Sequence, residues 1–326
     1  MKIDSDNHRK PSINNSRHGP DRKKIYGFVN HINNVEKKIK TPLGTLFICS
    51  IPGEDKKQPH RNYKSGEHIV SEDFVFVGQY QKKLFVIVGD GVTNKGKDGR
   101  EAAKSCYAVT EAIWKSSAKI SAVDLFKRWH EAIAESEFPE GSAAVTIITI
   151  EAWSNPKAPK IKAKAKFYSC GDVQGAMHTG ASRFTDTPYF STPLHRKVEN
   201  NKLYKAATGL RYYKPDSSPT LYCHPGDILH NATDGVEDFS TAVKSVMQNE
   251  DIAFDEVPVR IQRELYLATL EKKSEHTLLT SKVKGKEKIN RNLFQKYVYR
   301  DSTDNKASMS IKALDDLTSV IFQFKA

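Results

Sequence analysis

The chain has 326 residues, 38% of them hydrophobic, enough for one large or two ordinary domains with a real core. Its formal charge of +12 favours acidic partners such as nucleic acid, an anionic membrane or a phosphorylated protein, without choosing among them. No run of 18 apolar residues is present, the N-terminus lacks an apolar signal-peptide stretch, and Cys49, Cys106, Cys170 and Cys223 have no zinc-type spacing. A cytoplasmic protein with free thiols and no membrane association is therefore expected.

Residues 1–40 are polar and rich in Asn, Lys, Arg and His, and they read as a basic, disordered tail. A single domain is expected over 41–326, with its first strand at 45–51. A polar loop over 53–68 leads to Ser71-Glu72-Asp73, which abuts a strand at 74–78. A short turn then leads into a strand at 84–89, so the two strands are predicted to form a hairpin. That hairpin would bring Glu72 and Asp73 close to Asp90 at one end of a sheet. The stretch 84–91 is the centre of the sequence. Its apolar run enters Gly-Asp-Gly, which fixes a carboxylate at a strand end between glycines that permit close approach. Carboxylates and exposed carbonyls are the ligands that Mg²⁺ and Mn²⁺ take. The loop after Asp90 is neither GxGxxG nor a P-loop, so no nucleotide site is assigned.

Two helices are predicted next. Ala102, Cys106, Val109 and Ile113 share one helical face. A second helix starts at Ser121, with Asp124 completing a capping box and Leu125, Trp129 and Ile133 forming the apolar face. Strands follow at 141–150 and 163–170, the latter ending in Gly171-Asp172. Residues 175–203 read as an irregular surface excursion. A strand and turn over 220–227 precede a strand that ends in Asp234-Gly235. A helix near 238–248, a helical insertion near 251–300 and an alternating strand at 317–324, preceded by Asp315-Asp316, complete the chain.

Acidic residues thus stand at strand ends at 72–73, 90, 172, 234 and 315–316. One such Asp makes a turn; five, in a chain of alternating strands and helices, point to a shared oxygen-rich metal pocket. The ordered motifs are Ser-Glu-Asp (71–73), Val-Gly-Asp-Gly (88–91), Gly-Ser-Ala-Ala-Val (141–145), Cys-Gly-Asp (170–172), Pro-Gly-Asp (225–227), Ala-Thr-Asp-Gly (232–235) and Asp-Asp-Leu-Thr (315–318). Their order resembles that of the metal-dependent protein phosphatases of the PP2C (PPM) family, over residues from about 45 to 324.

The resemblance implies an α+β fold, a PP2C-like α-β-β-α sandwich of two antiparallel β-sheets flanked by helices. It implies two Mn²⁺ or Mg²⁺ ions in a cleft at one edge of the sandwich. Asp90 would bridge both ions. The Gly91 carbonyl and Glu72 would serve the first, Asp234 and Asp315 the second, and Asp73 would act through a water. Asp172 would help hold a weaker third ion. The implied activity is that of a protein serine/threonine phosphatase, hydrolysing phosphomonoesters of a phosphorylated protein substrate with a metal-activated water. A cognate Ser/Thr kinase would oppose it, and a monomer is expected. Residues 175–203 fall where the family carries a mobile flap.

Three departures stand out. The family places an Arg five residues before the matched Asp73, where it binds phosphate; here the position is His68, which leaves His68 or the upstream Arg61 for that task. The His that many eukaryotic members carry after Asp-Gly is Val92. The usual Gly-Asp-Ser-Arg is Gly-Asp-Val173-Gln174. These departures keep open a second reading, a PP2C-fold pseudophosphatase acting as a binding module. A third, a metal-dependent nuclease, has no aromatic-basic face to support it.

Overall fold

The computed structural model describes residues 22–31, 35–52, 71–92, 99–116, 120–136, 141–179, 188–193, 197–199, 202–204, 214–233 and 316–325. Two antiparallel sheets dominate them. In the first, β1 (Arg22–Val29), β4 (Asp73–Tyr80), β5 (Lys83–Val92), β6 (Ser142–Ala152), β7 (Ala163–Cys170) and β12 (Asp216–Ser217) lie in that order, and β13 (Leu221–Cys223) also pairs with β7. The second runs β2 (Val35–Lys40), β3 (Gly44–Ile51), β15 (Leu317–Phe324), β14 (Ile228–Ala232), β8 (Gln174–His178) and β9 (Phe190–Ser191). β10 (Lys197–Glu199) and β11 (Lys202–Tyr204) form a separate two-stranded pair. Helices α1 (Gly99–Lys115) and α2 (Ala122–Ala134) pack on the first sheet.

The layers follow from side-chain alternation along the strands. On β4 and β5, Val75, Val77, Val86 and Val88 join Leu46, Ile48, Val320 and Phe322 of the second sheet in one core between the sheets. The alternate residues Phe74, Phe76, Phe85 and Ile87 join Cys106, Leu125, Phe126 and Trp129 in a second core beneath the helices. Strands buried on both faces cannot alternate polar with apolar, which is why 84–88 reads as an unbroken apolar run. The last strand, read as alternating, is likewise buried at every residue from Leu317 to Phe324.

Several expectations are corrected here. Residues 22–29 and 35–40 are not a tail: they form β1 and β2, which pair with β4 and β3 along one side of each sheet. Their Lys and Arg residues serve on an edge, where charge discourages pairing with other chains. β1 is tied down by its cations. The Arg22 guanidinium donates to the carbonyls of Ile113 (3.0 Å) and Ser116 near the C-terminus of α1, where a positive charge is favourable, and Lys24 pairs with Glu111. Residues 175–178, placed in an irregular excursion over 175–203, belong to β8 inside the second sheet. On α1 Val109 packs against the core beneath the helices only partly buried, and the fully buried face also includes Thr110, whose hydroxyl donates to the Cys106 carbonyl (2.7 Å) and accepts from the Trp129 indole (2.9 Å). Ser121 stands at the N-cap of α2 in extended conformation, but its side chain makes no capping bond. The helices read near 238–248 and 251–300 lie outside the described residues.

Candidate active site

The β4–β5 hairpin turns at Gln81-Lys82, with Gln81 at positive φ (54°), and its register places Asp73 directly opposite Asp90. Counting along each strand puts both aspartates on the inter-sheet side, beyond the last valines of that core. β6 continues the row, with Ala144 opposite Asp90 and Ala143 opposite Gly91. Beyond it, β7 ends at Cys170 and the chain turns through Gly171 at φ 96° into Asp172. A Cβ on Gly171 would stand 2.4 Å from that of Ala144, so a small residue is required at both positions. Glu72, Asp73, Asp172 and Asp316 are only 2%, 0%, 4% and 3% exposed, whereas Asp90 is partly open to solvent. The acidic residues therefore collect at one end of the inter-sheet core.

The backbone around them is closely held. The amide of Gly91 donates to the Glu72 carbonyl (2.9 Å), and the amide of Asp73 to the Ser71 hydroxyl (3.0 Å). Gly99, the first residue of α1, packs so tightly on Gly91 that a Cβ at 99 would stand 2.1 Å from the Gly91 carbonyl oxygen and 3.0 Å from the Glu72 carboxyl carbon. The second sheet contributes from its own strand ends. The Thr233 hydroxyl donates to Asp73 Oδ2 (3.3 Å), and Asp316 Oδ2 accepts the Glu72 amide (2.6 Å). Thr233 directly precedes Asp234 in the chain, and Asp316 directly follows Asp315.

Of the sequence-predicted site residues, Glu72, Asp73, Asp90 and Gly91 are brought together, and Asp172 lies two strands from Asp90 across β6. His68, Asp234 and Asp315 lie outside the described residues, as does Arg61. Ser71, Thr233 and Thr318 were not singled out as acting residues. They carry no charge and no motif-level chemistry, so only the hydrogen-bonding pattern reveals them. Asp227 of the Pro-Gly-Asp motif belongs to a turn instead, with its carboxylate accepting the His224 amide (2.8 Å).

No three His, Cys, Asp or Glu side chains among the described residues form a ready-made metal cluster. The donor set nevertheless suits a hard cation. Carboxylates directly opposed across paired strands repel one another, and burial adds a desolvation cost to each charge. A divalent ion shared between them removes both penalties, and all-oxygen donors suit Mg²⁺ or Mn²⁺. Asp172 makes no hydrogen bond or ion pair with another described residue. The nearby Cys170 is no nucleophile: burial, helped by the negative charge of Asp216, pushes its thiol up to about 12.

No protein-family model matches the chain, and no curated protein matches it. Solved structures do resemble it, one of them with a TM-score above 0.5. RsbX in complex with magnesium superposes with a TM-score of 0.51 at 13% identity, covering 89% of this chain and all of that one. The catalytic domain of the serine/threonine protein phosphatase PstP, in complex with two manganese ions, gives 0.43 at 12% identity over 86% of this chain and 98% of that one. The SiaA-PP2C domain of Pseudomonas aeruginosa gives 0.42 at 12% identity, with 86% of each chain covered. The likeness is one of fold, a PP2C-like α+β sandwich of two antiparallel sheets with helices packed on it.

Proposed function

We propose that this chain is a metal-dependent protein serine/threonine phosphatase whose active site lies at the acidic end of the sandwich. The observation that carries the reading is the register of the β4–β5 hairpin, which sets Asp73 against Asp90 with Glu72 beside them. In this reading Glu72, Asp90, the Gly91 carbonyl, Asp234 and Asp315 hold two Mn²⁺ or Mg²⁺ ions, and Asp172 contributes to a third. Such ions supply Lewis acidity toward a phosphoryl group and bring the pKa of water toward neutrality. The chain's own part is placement. Asp90, at the solvent edge, faces the incoming phosphomonoester. Asp73, fully buried and held by Thr233, orients a water by hydrogen bonding. His68 or Arg61 grips the phosphate. The valine cores on one side and α1 on the other keep the bases of these carboxylates dry and rigid.

A PP2C-fold binding module without turnover is the competing reading, and one observation favours it. Val92 continues β5 opposite Ser142, so the position after Asp90-Gly91 is an apolar strand residue with no proton to give a leaving group. Hydrolysis of a phosphothreonine peptide with Mn²⁺ and with EDTA separates the two. Turnover in Mn²⁺ that EDTA removes supports the phosphatase. Tight Mn²⁺ and phosphopeptide binding without turnover supports the module.

No described helix is long and apolar enough to cross a membrane. A phosphorylated protein is the partner class this reading names.

A further inference from the structure

We infer that His31 is a positioning residue for the candidate active site, its ring setting the Thr233 hydroxyl that donates to Asp73 by way of Ser50 and Thr318, while its carbonyl holds the Ser71 amide. This rests on the phosphatase reading for its meaning, but the connection itself is made by the chain's own residues. His31 directly follows β1 and the turn at Asn30, and its ring packs edge-on against Phe28, with centroids 4.9 Å apart. From there Nε2 lies 2.7 Å from the Ser50 hydroxyl, which lies 2.5 Å from that of Thr318, its direct cross-strand partner. The Thr318 amide donates to the Thr233 hydroxyl (3.0 Å), and that hydroxyl donates to Asp73 Oδ2 (3.3 Å). The contacts run from the end of β1 through the second sheet and back to β4.

The direction of the hydrogen bonds can be worked out. Ser50 and Thr318 are both 0% exposed, so each hydroxyl proton needs an acceptor. Among the described residues the Thr318 hydroxyl has one possible acceptor, the Ser50 oxygen. Thr318 therefore donates to Ser50, Ser50 donates to His31, and Nε2 accepts with its lone pair, which puts the ring proton on Nδ1. The Thr233 proton has two acceptors in reach, Asp73 Oδ2 at 3.3 Å and the Thr318 carbonyl at 3.5 Å. The Thr318 carbonyl already accepts the Thr233 amide (3.0 Å), which leaves Asp73 as the better acceptor.

Thr318 has a second connection. Asp316, two residues before it, accepts the Glu72 amide (2.6 Å). On the opposite side the His31 carbonyl accepts the Ser71 amide (2.9 Å), and Ser71 in turn accepts the Asp73 amide. His31 thus grips the segment Ser71-Glu72-Asp73 directly through its backbone and indirectly through its ring. Removing the ring leaves the Ser50 proton buried without its acceptor, loosens Thr318, and frees the hydroxyl that fixes Asp73. Residues that orient the groups around a bound metal, here the segment carrying Glu72 and Asp73, typically change metal affinity by about 10- to 100-fold when removed.

The test compares the wild type with His31→Phe, Ser50→Ala, their double variant and His31→Gln, whose amide carbonyl can accept from Ser50. Mn²⁺ titration by calorimetry is expected to show about a 10-fold loss in each of the first two, no further loss in the double variant, and recovery in His31→Gln. A second readout uses the metal-free chains: the carboxyl ¹³C resonance of Asp73, assigned with Asp73→Asn, should move in His31→Phe and Ser50→Ala and return in His31→Gln. Ser50→Ala removes one buried oxygen and guards against a fold defect in the larger substitution. An Asp73 resonance unmoved in both variants overturns the inference. If the wild type binds no Mn²⁺, the phosphatase reading fails by itself, and the metal-free resonance still decides the role of His31.

Discussion

Replacing Gly99 by Ala adds one methyl group where α1 meets the candidate active site, and the structure leaves no space for it. The new Cβ would lie 2.1 Å from the carbonyl oxygen of Gly91, 2.5 Å from its carbonyl carbon and 3.0 Å from the Glu72 carboxyl carbon. The two closest atoms are backbone, so no rotamer change relieves the contact. Gly91 cannot yield easily either, because its amide is bonded to the Glu72 carbonyl and its strand is paired with β6. The first turn of α1 must tilt away. Overpacking of this kind costs roughly 1–3 kcal/mol, while Ala in place of Gly recovers up to about 1 kcal/mol of helix propensity. A net loss of about 1–2 kcal/mol is expected from urea unfolding followed by circular dichroism. Mn²⁺ affinity should fall as well, because the displaced groups are the Gly91 carbonyl and the Glu72 carboxylate. A Gly99→Ala chain as stable as the wild type or more so, with unchanged Mn²⁺ affinity, would refute the placement of α1 against these two groups.

Asp90→Asn should abolish Mn²⁺-dependent phosphopeptide hydrolysis yet raise the melting temperature in EDTA, since it removes a cross-strand like-charge pair worth about 0.2–1 kcal/mol; a lowered melting point would contradict the pairing with Asp73. His178 is buried in the second sheet, and burial lowers its pKa from 6.5 to about 4. The folded chain keeps this ring neutral while the unfolded chain protonates it, so its contribution is intact above pH 6.5 and is lost as pH falls toward 4, by about 3 kcal/mol. The buried His230, also pushed well down, acts in the same direction, and urea midpoints between pH 7 and 4 should fall less steeply in His178→Leu. Thr110→Val leaves the Trp129 indole N–H without its acceptor between the two helices, for an expected loss of about 1–3 kcal/mol in urea unfolding, most of which Thr110→Ser should recover.

Much of the central sheet was legible because its strands are buried on both faces. The apolar run at 84–88 and the β-branched stretch at 144–150 read as strands, and a short turn between strands at 74–78 and 84–89 brings Asp73 close to Asp90, a pairing that the structure makes direct. The edges were not legible. β1 and β2 carry Arg22, Lys23, Lys24, Lys37, Lys38 and Lys40, and a cation-rich stretch near an N-terminus has the composition of a solvated arm. What makes them strands is tertiary: Tyr26 and Phe28 pack on the inter-sheet core, and Arg22 reaches carbonyls 91 or more residues away. β8 was missed for a similar reason, since Gln-Gly-Ala-Met-His has no strand periodicity and is held by β14 beside it. At the site the carboxylates announced themselves through their strand-end positions. Ser50, Thr233 and Thr318 did not, because an uncharged hydroxyl acquires meaning only when folding buries it next to another one.

The net charge of +12 can now be set against this architecture. Several of the described lysines lie over the protein's own aromatic rings: Lys24 over Tyr107 at 5.0 Å, Lys38 over Phe47 at 5.2 Å, Lys164 over Trp153 at 3.2 Å and Lys166 over Tyr168 at 5.3 Å. Such cations cover apolar surface with their stems and are attracted to the ring faces, so they need no polyanion to explain them. The acidic residues are distributed differently, with five of them gathered at one end of the inter-sheet core. A phosphorylated substrate approaching that end meets carboxylates that repel it unless divalent cations reverse the local sign. The chain's net positive charge favours an anion's approach only over distances of about a Debye length, roughly 8 Å at physiological ionic strength. In the phosphatase reading it is therefore the acidic end, loaded with metal, and not the lysines over their own rings, that selects a phosphorylated substrate.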